Sequence, residues 1–210
     1  ANYMLIGSMQ LGTELFQVTD GKMTLHFEKD TIRTLWDNYY IPFVKGYFAA
    51  TGRFRSDDIK TGNIIAYVGA SSGASFFPDV VNKSESESYA IETDVLPAPG
   101  FAGGAAYTVQ QGAGMVVTQG SDAELYACVE FLEWFTADEQ NILFSVQSGY
   151  LPVTKTANDK AAILESGAQI SFNMEKTLPV AVDMITQNQP YTTKAFEEGT
   201  KARNILEYSM

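Results

Sequence analysis

The chain has 210 residues, of which 45% are hydrophobic and 19% are charged, a composition that allows a buried core and excludes disordered and fibrous classes. Its 25 acidic and 14 basic residues give a net charge of −11, which argues against binding to nucleic acid phosphates. The single cysteine, Cys128, and the single histidine, His26, exclude an intramolecular disulfide and a metal site rich in cysteine or histidine.

The first part of the chain predicts a hairpin, a helix and a buried strand. Asp20-Gly21 lies between two partly alternating apolar runs, so we expect a β-hairpin with a tight turn at these residues. Asp30 is expected to cap a helix with apolar residues at helical spacing, and Pro42 is expected to interrupt it. Residues 63–68 form a short, apolar, β-branched run, which predicts a buried strand.

The second half of the chain is predicted to be mainly helical. Ser121 with Glu124, and Thr136 with Glu139, have the spacing of capping boxes, so we expect a helix to begin at each of these pairs. Further strands are predicted at residues 89–96 and 115–118, and further helices at residues 158–166, 179–187 and 193–208. Strands interleaved with helices, followed by a helical tail, indicate an α/β protein.

The sequence offers no convincing catalytic group. His26 lies in a predicted strand, and no Gly-x-Ser-x-Gly elbow exists to supply a nucleophile. Cys128, Trp36 and Trp134 fall on helical apolar stripes, which predicts that their side chains pack in the core. A hydrolase that uses two carboxylates stays open as an alternative. Its candidate acids are the adjacent pairs Asp57-Asp58, Asp138-Glu139 and Glu197-Glu198.

Features for binding a small molecule are better represented than features for catalysis. Three polar, uncharged loops contain glycine, at residues 69–75, 111–114 and 149–150. Glycine lets a ligand approach the backbone closely, and Ser and Gln side chains supply directional hydrogen bonds. The ring of Tyr150 offers a flat apolar face with a polar rim. The loops therefore predict a site for a hydroxyl-bearing solute.

Several motifs, in order along the chain, resemble those of the extracellular solute-binding proteins of ABC importers, specifically the sugar and glycerol-3-phosphate group. The resemblance covers roughly residues 62–153, and the flanks before Thr31 and after Ala168 match only in helical character. The matching segments are Thr61–Ala74 (TGNIIAYVGASSGA), Val95–Pro99 (VLPAP), Gly112–Val117 (GAGMVV), Glu130–Thr136 (EFLEWFT) and Ser148–Val153 (SGYLPV).

The resemblance implies a periplasmic-binding-protein-like (type II) two-lobed α/β fold that closes around a solute and delivers it to a membrane permease. Family members are about twice as long, so residues 1–210 are expected to be a C-terminal portion, helix-rich with a small mixed sheet. Crossovers between lobes are expected near residues 94–99 and 149–153. The resemblance also implies ABC permease subunits as partners, a monomer, and no cofactor, metal or enzymatic activity.

By the same resemblance, the ligand contacts are expected to face the cleft between the lobes. They are Ser71, Ser72, Gly112, Gly114, Gly149 and Tyr150. Arg203 matches the family poorly and is expected to be solvated. The uncharged loops favour a neutral sugar over a phosphate.

The sequence also gives expectations for the cellular location of the protein and for alternative functions. No basic region followed by an apolar stretch opens the chain, and no run reaches the ~18 apolar residues of a membrane helix. The resemblance nevertheless implies an extracellular or periplasmic protein, anchored as a lipoprotein in its full-length form. Besides the hydrolase, a structural domain that binds a partner through its acidic surface stays open.

Overall fold

The computed structural model describes residues 1–209, in which helices are the main regular structure and the sheets are small. The helices are α1 (Asn2–Gln10), α2 (Lys29–Val44), α3 (Arg55–Lys60), α4 (Asp122–Thr136), α5 (Asp138–Ser148), α6 (Lys160–Leu164), α7 (Phe172–Gln187) and α8 (Gly199–Tyr208), with a 3-10 helix at Ser71–Phe76. The strands are β1 (Phe16–Thr19), β2 (Lys22–Leu25), β3 (Val80–Asn82), β4 (Ser88–Ala90), β5 (Tyr107–Val109) and β6 (Gln189–Tyr191). Within the described residues they pair as three two-stranded sheets rather than as one mixed sheet.

The chain divides into two compact units. Unit 1 comprises residues 1–51, 98–111 and 185 onward, and unit 2 comprises residues 52–97 and 112–184. The boundary between Pro97 and Ala98 falls within the crossover expected at residues 94–99, whereas residues 149–153 lie inside unit 2. Both crossovers stay predictions.

Unit 1 is built around a small apolar core to which α1, α2, β1 and α8 contribute. Its buried members are Met4, Leu5, Leu15, Phe16, Leu35 and Leu206. The predicted hairpin is confirmed: β1 and β2 pair antiparallel, and Asp20 and Gly21 both adopt positive φ, as a tight two-residue turn requires. The parallel pair β5–β6 also belongs to this unit.

Unit 2 has its core where α5, α6 and α7 meet. The buried members are Ile142, Val146, Ala157, Ile163, Met174, Leu178 and Val182. Ala74 and Leu151 pack against this cluster from the loops at residues 71–76 and 149–153. The core therefore supports the two loops from which most of the predicted ligand contacts come.

The predicted strands of unit 2 are largely wrong. Residues 63–68 and 115–118 form no strand, and the side chain of Ile65 is 97% exposed. Of the predicted strand at 89–96, only its start lies in a strand, Ser88–Ala90. Apolar β-branched residues favour strands, but a strand also needs a neighbour for its backbone hydrogen bonds, and no described segment pairs with these residues.

The predicted helix boundaries were only partly right. The capping box of Ser121 and Glu124 is confirmed at the start of α4. The box predicted for Thr136 is wrong, because its hydroxyl donates to the carbonyl of Leu132 within α4 at 2.7 Å and Ala137 is the N-cap of α5.

Two further helical predictions, at Asp30 and Pro42, also differ from the structure. Helix α2 already begins at Lys29, so Asp30 lies in its first turn rather than at its N-cap. Pro42 lies inside the last turn of α2 and does not end it. A proline there removes one backbone donor, but the neighbouring residues keep the helical hydrogen bonds, such as Lys45 N–H to the Ile41 carbonyl.

The predicted burial of helical side chains was wrong for α4. Cys128 is exposed, and Trp134 is 55% exposed. Trp36, on α2, is also exposed. An apolar stripe predicts a face that needs a partner, but no residue of α4 is buried, although Phe135 lies edge-on to Phe144 of α5 at 5.0 Å.

Candidate functional site

Residues Ser71–Phe76, which we call the serine turn, form a single 3-10 helix held by local hydrogen bonds. The hydroxyl of Ser75 donates to the carbonyl of Ser72 at 3.0 Å, and the phenol of Tyr67 donates to the carbonyl of Gly73 at 3.3 Å. Ser71 and Ser72 are half-buried. The turn is thus fixed by other residues, and the two serines predicted to bind ligand are partly open to solvent.

Gly149 ends α5 and lies directly against the serine turn. It has φ 77° and ψ 4°, the left-handed conformation that favours glycine at a helix C-terminus. A β-carbon at this position would lie 2.8 Å from the Cα of Ser72 and 3.1 Å from the carbonyl oxygen of Ser71. The structure therefore brings together two loops that are far apart in the sequence, and only glycine allows them to approach this closely.

Tyr150 follows Gly149 outside any helix or strand. Its side chain is 40% exposed, and its ring stacks on that of Phe144 with 6.1 Å between centroids and 23° between planes. Stacking on Phe144 limits the orientations of the phenol ring. A partly exposed ring held beside a backbone turn can pack against the apolar face of a sugar.

Gly112 and Gly114 lie in the irregular segment that precedes α4. Both are exposed, and no heavy atom beyond their chain neighbours lies within 4 Å of a β-carbon built on either residue. The structure shows no contact between these glycines and the serine turn. Their backbone is open to a ligand, and their role in binding stays a prediction.

Asn141 and Asn173 hold the two loops and were not found from the sequence. Asn141 is buried on α5, and its Oδ1 accepts a hydrogen bond from the backbone N–H of Val153 at 2.8 Å. Asn173, on α7, donates from its Nδ2 to the carbonyl of Phe77 at 3.0 Å. A polar residue on the buried side of an amphipathic helix was the only signal available, and it does not reveal which loop the side chain reaches.

Three of the charged residues singled out from the sequence form structural hydrogen bonds. Asp57 accepts from the backbone N–H of Phe54, and Asp58 accepts from that of Gly52. Arg203, expected to be solvated, donates to the side chain of Asn2 at 2.9 Å. Within residues 1–209, no group of three or more His, Cys, Asp or Glu side chains is arranged to hold a metal ion.

One ionisable group close to the serine turn has a shifted pKa. Burial raises the pKa of Tyr67, and the positive charge of Arg55 acts in the opposite direction. The charge of Arg55 therefore acts on the same phenol that donates to the Gly73 carbonyl.

Comparison with known proteins identifies the family. Residues 1–170 match the family described as bacterial extracellular solute-binding protein, which covers the serine turn, Gly149 and Tyr150. No curated protein and no solved structure matches the chain significantly. None of the helices in the described residues has the length and hydropathy needed to cross a membrane. The family is extracellular or periplasmic and generally non-enzymatic. The chain belongs to the family of bacterial extracellular solute-binding proteins, which indicates a substrate-binding role for a transporter.

Proposed function

We propose that this protein binds a sugar or a glycerol-phosphate-type solute reversibly and delivers it to the membrane subunits of an ABC importer. The observation that best supports a site is the close approach of Gly149 to Ser72, which brings the serine turn against the residue that precedes Tyr150. Ser71 and Ser72 would supply hydroxyl groups, and Tyr150 would supply a ring face. Gly112 and Gly114 are proposed to contribute backbone N–H groups from their open segment.

The finer assignments of architecture and location are proposals on the same basis. We propose the type II two-lobed fold, of which residues 1–210 form the C-terminal portion, because the chain divides into two compact units that are each built from separate segments. Binding would shift the population between open and closed forms of the complete protein. We further propose that the protein acts as a monomer and that a lipid anchor holds its full-length form at the cell surface.

The site chemistry separates the two solute classes. The serine turn and the Gly149–Tyr150 loop carry no charge of their own, which favours a neutral sugar. The positive charge of Arg55 lowers the pKa of Tyr67, whose phenol donates to the Gly73 carbonyl of the turn, and the same charge would attract a phosphate bound there. Replacing Arg55 by alanine is therefore expected to leave the affinity for a neutral sugar unchanged and to weaken the binding of a glycerol phosphate.

The test of the proposed function is calorimetric titration of the full-length protein with monosaccharides, disaccharides, oligosaccharides and glycerol phosphates. Tyr150→Ala is expected to weaken binding several-fold to about tenfold, in line with the value of one aromatic contact. Tyr126→Ala is the matched control, because Tyr126 is a 67% exposed tyrosine on α4 of the same unit. If the wild type binds a solute and the two variants bind it with equal affinity, Tyr150 is not part of the site. Absence of binding to every compound would overturn the proposed solute classes.

A further inference from the structure

Helix α7 forms a side-chain hydrogen bond to the residue that follows the serine turn, in addition to sharing the core against which Ala74 packs. Asn173, the second residue of α7, donates from its Nδ2 to the carbonyl oxygen of Phe77 at 3.0 Å. Phe77 is the residue that follows the serine turn, and its own N–H bonds to the carbonyl of Ala74. The hydrogen bonds of Ser75 and Tyr67 are local in sequence, whereas the bond from Asn173 ties the turn to a distant helix.

The next residue on α7 contacts the other side of the site. The sulfur of Met174 lies 3.1 Å from the position that a β-carbon of Gly149 would occupy, and Met174 is buried in the core of unit 2. The first turn of α7 therefore adjoins Gly149 through Met174 and holds Phe77 through Asn173. These two contacts fix the place of the serine turn relative to the end of α5.

Stability alone does not explain an asparagine at position 173. Its Oδ1 is buried and has no hydrogen-bond partner among the described residues. A buried acceptor without a partner costs free energy that an apolar side chain of similar size would not incur. Asn173 also lies beyond residues 1–170, so the match to the family gives it no role.

We propose that Asn173 is a positioning residue, which holds the serine turn against Gly149 so that Ser71 and Ser72 keep their place in the solute site. This inference rests on the proposed function of that surface. Its effect on binding is indirect: Asn173 touches the backbone at Phe77, and the turn touches the solute.

The test compares Asn173→Leu with Thr177→Val. Leucine has the same number of side-chain heavy atoms as asparagine, with the same branch at Cγ, and removes both the bond to Phe77 and the unpartnered Oδ1. Thr177 is buried one turn further along α7, and its hydroxyl bonds only within the helix, to the Asn173 carbonyl at 2.6 Å. Backbone amide exchange over residues 71–77 measures how firmly the turn is held without any solute, and thermal unfolding measures the stability of the unit.

For Asn173→Leu we expect an unchanged or higher melting temperature, about tenfold faster exchange over residues 71–77, and about tenfold weaker binding of the solute found by titration. Thr177→Val should lower the melting temperature and leave exchange in the turn unchanged. The inference would be overturned if residues 71–77 of Asn173→Leu exchanged at the wild-type rate. It would also be overturned if Asn173→Leu had a lower melting temperature and changed the exchange in the turn and the affinity no more than Thr177→Val does.

A second variant covers the case in which Asn173→Leu does not fold. Asn173→Asp keeps the size and polarity of the side chain but places an acceptor opposite the Phe77 carbonyl, so exchange in the turn should again increase. The two failures are distinguishable. A wild type that binds no sugar or glycerol phosphate overturns the proposed function, whereas a wild type and an Asn173→Leu variant that bind equally well overturn only the role of Asn173.

Discussion

Gly149 and Ser72 touch with no side chain between them, since a β-carbon on Gly149 would lie 2.8 Å from the Cα of Ser72. Gly149→Ala is expected to lower the free energy of unfolding by about 2 kcal/mol, because alanine is strained at φ 77° and its methyl group meets backbone atoms. Urea unfolding followed by circular dichroism measures the loss.

Gly73→Ala is the control for that substitution. Gly73 lies within the serine turn, has no positive φ, and no atom beyond its chain neighbours lies within 4 Å of an added β-carbon. Its effect should stay within about 0.5 kcal/mol. If the two variants lose the same stability, Gly149 and Ser72 do not pack as described.

Ser145→Ala is expected to leave the stability of unit 2 unchanged or to raise it by up to about 1 kcal/mol. Ser145 is completely buried on α5, and its hydroxyl has no hydrogen-bond partner within residues 1–209. Alanine removes this unpaired group and has the higher helix propensity. Ser148→Ala, one turn nearer Gly149, removes a bond to the Phe144 carbonyl at 2.7 Å and should be neutral or destabilising. Ser145→Ala should therefore have a higher melting temperature than Ser148→Ala. A lower melting temperature for Ser145→Ala would contradict the unpaired state of the Ser145 hydroxyl.

Helix α4 has no buried residue, so its stability depends mainly on its own ends. Ser121 accepts from the N–H of Glu124, and Glu124 accepts from the N–H of Ser121 at 2.8 Å. Ser121→Ala should cost about 1 kcal/mol and speed amide exchange in the first turns of α4 about fivefold. Glu124→Gln keeps an acceptor but loses the charge at the helix N-terminus, so its effect should be smaller. Equal exchange in the wild type and Ser121→Ala would show that the cap does not limit the opening of α4.

Acid should weaken the link between Asp138 and the segment after Tyr150. The hydroxyl groups of Thr154 and Thr156 hold the pKa of Asp138 below its usual value of 3.8. Because the folded state lowers this pKa, the stabilisation is present above the usual value and is lost as the pH falls through the lower, folded-state pKa. Asp138→Asn removes this titration, so the stability difference between wild type and variant should be constant near neutral pH and shrink as the pH falls below the usual pKa of 3.8. Urea unfolding at several pH values measures it, and a constant difference would contradict the assignment.

The sequence could predict those features that neighbouring residues complete among themselves. The turn at Asp20-Gly21 needs only the two residues that adopt positive φ, and the cap of α4 needs only Ser121 and Glu124. Tyr150 was predicted outside regular structure because it follows a glycine, and the structure places it there, half exposed.

Features that depend on a distant partner could not be read from the same patterns. Residues 63–68 have the composition of a buried strand, yet nothing described pairs with them. Cys128 lies on an apolar stripe, yet no element covers it. The hydrophobic pattern of a segment indicates its own propensity for a helix or strand. Burial and strand pairing also require a second segment, and the pattern does not predict where that segment lies.

Local chemistry in the sequence determined the hairpin turn, the helix cap and the kinds of side chain that a binding loop needs, because each depends on residues a few positions apart. Only the tertiary structure decided that the serine turn rests on Gly149 and that Asn173 ties it to α7. These contacts join backbone atoms far apart along the chain. Their distances follow from how the core of unit 2 packs the ends of α5 and α7 together, which no local pattern specifies.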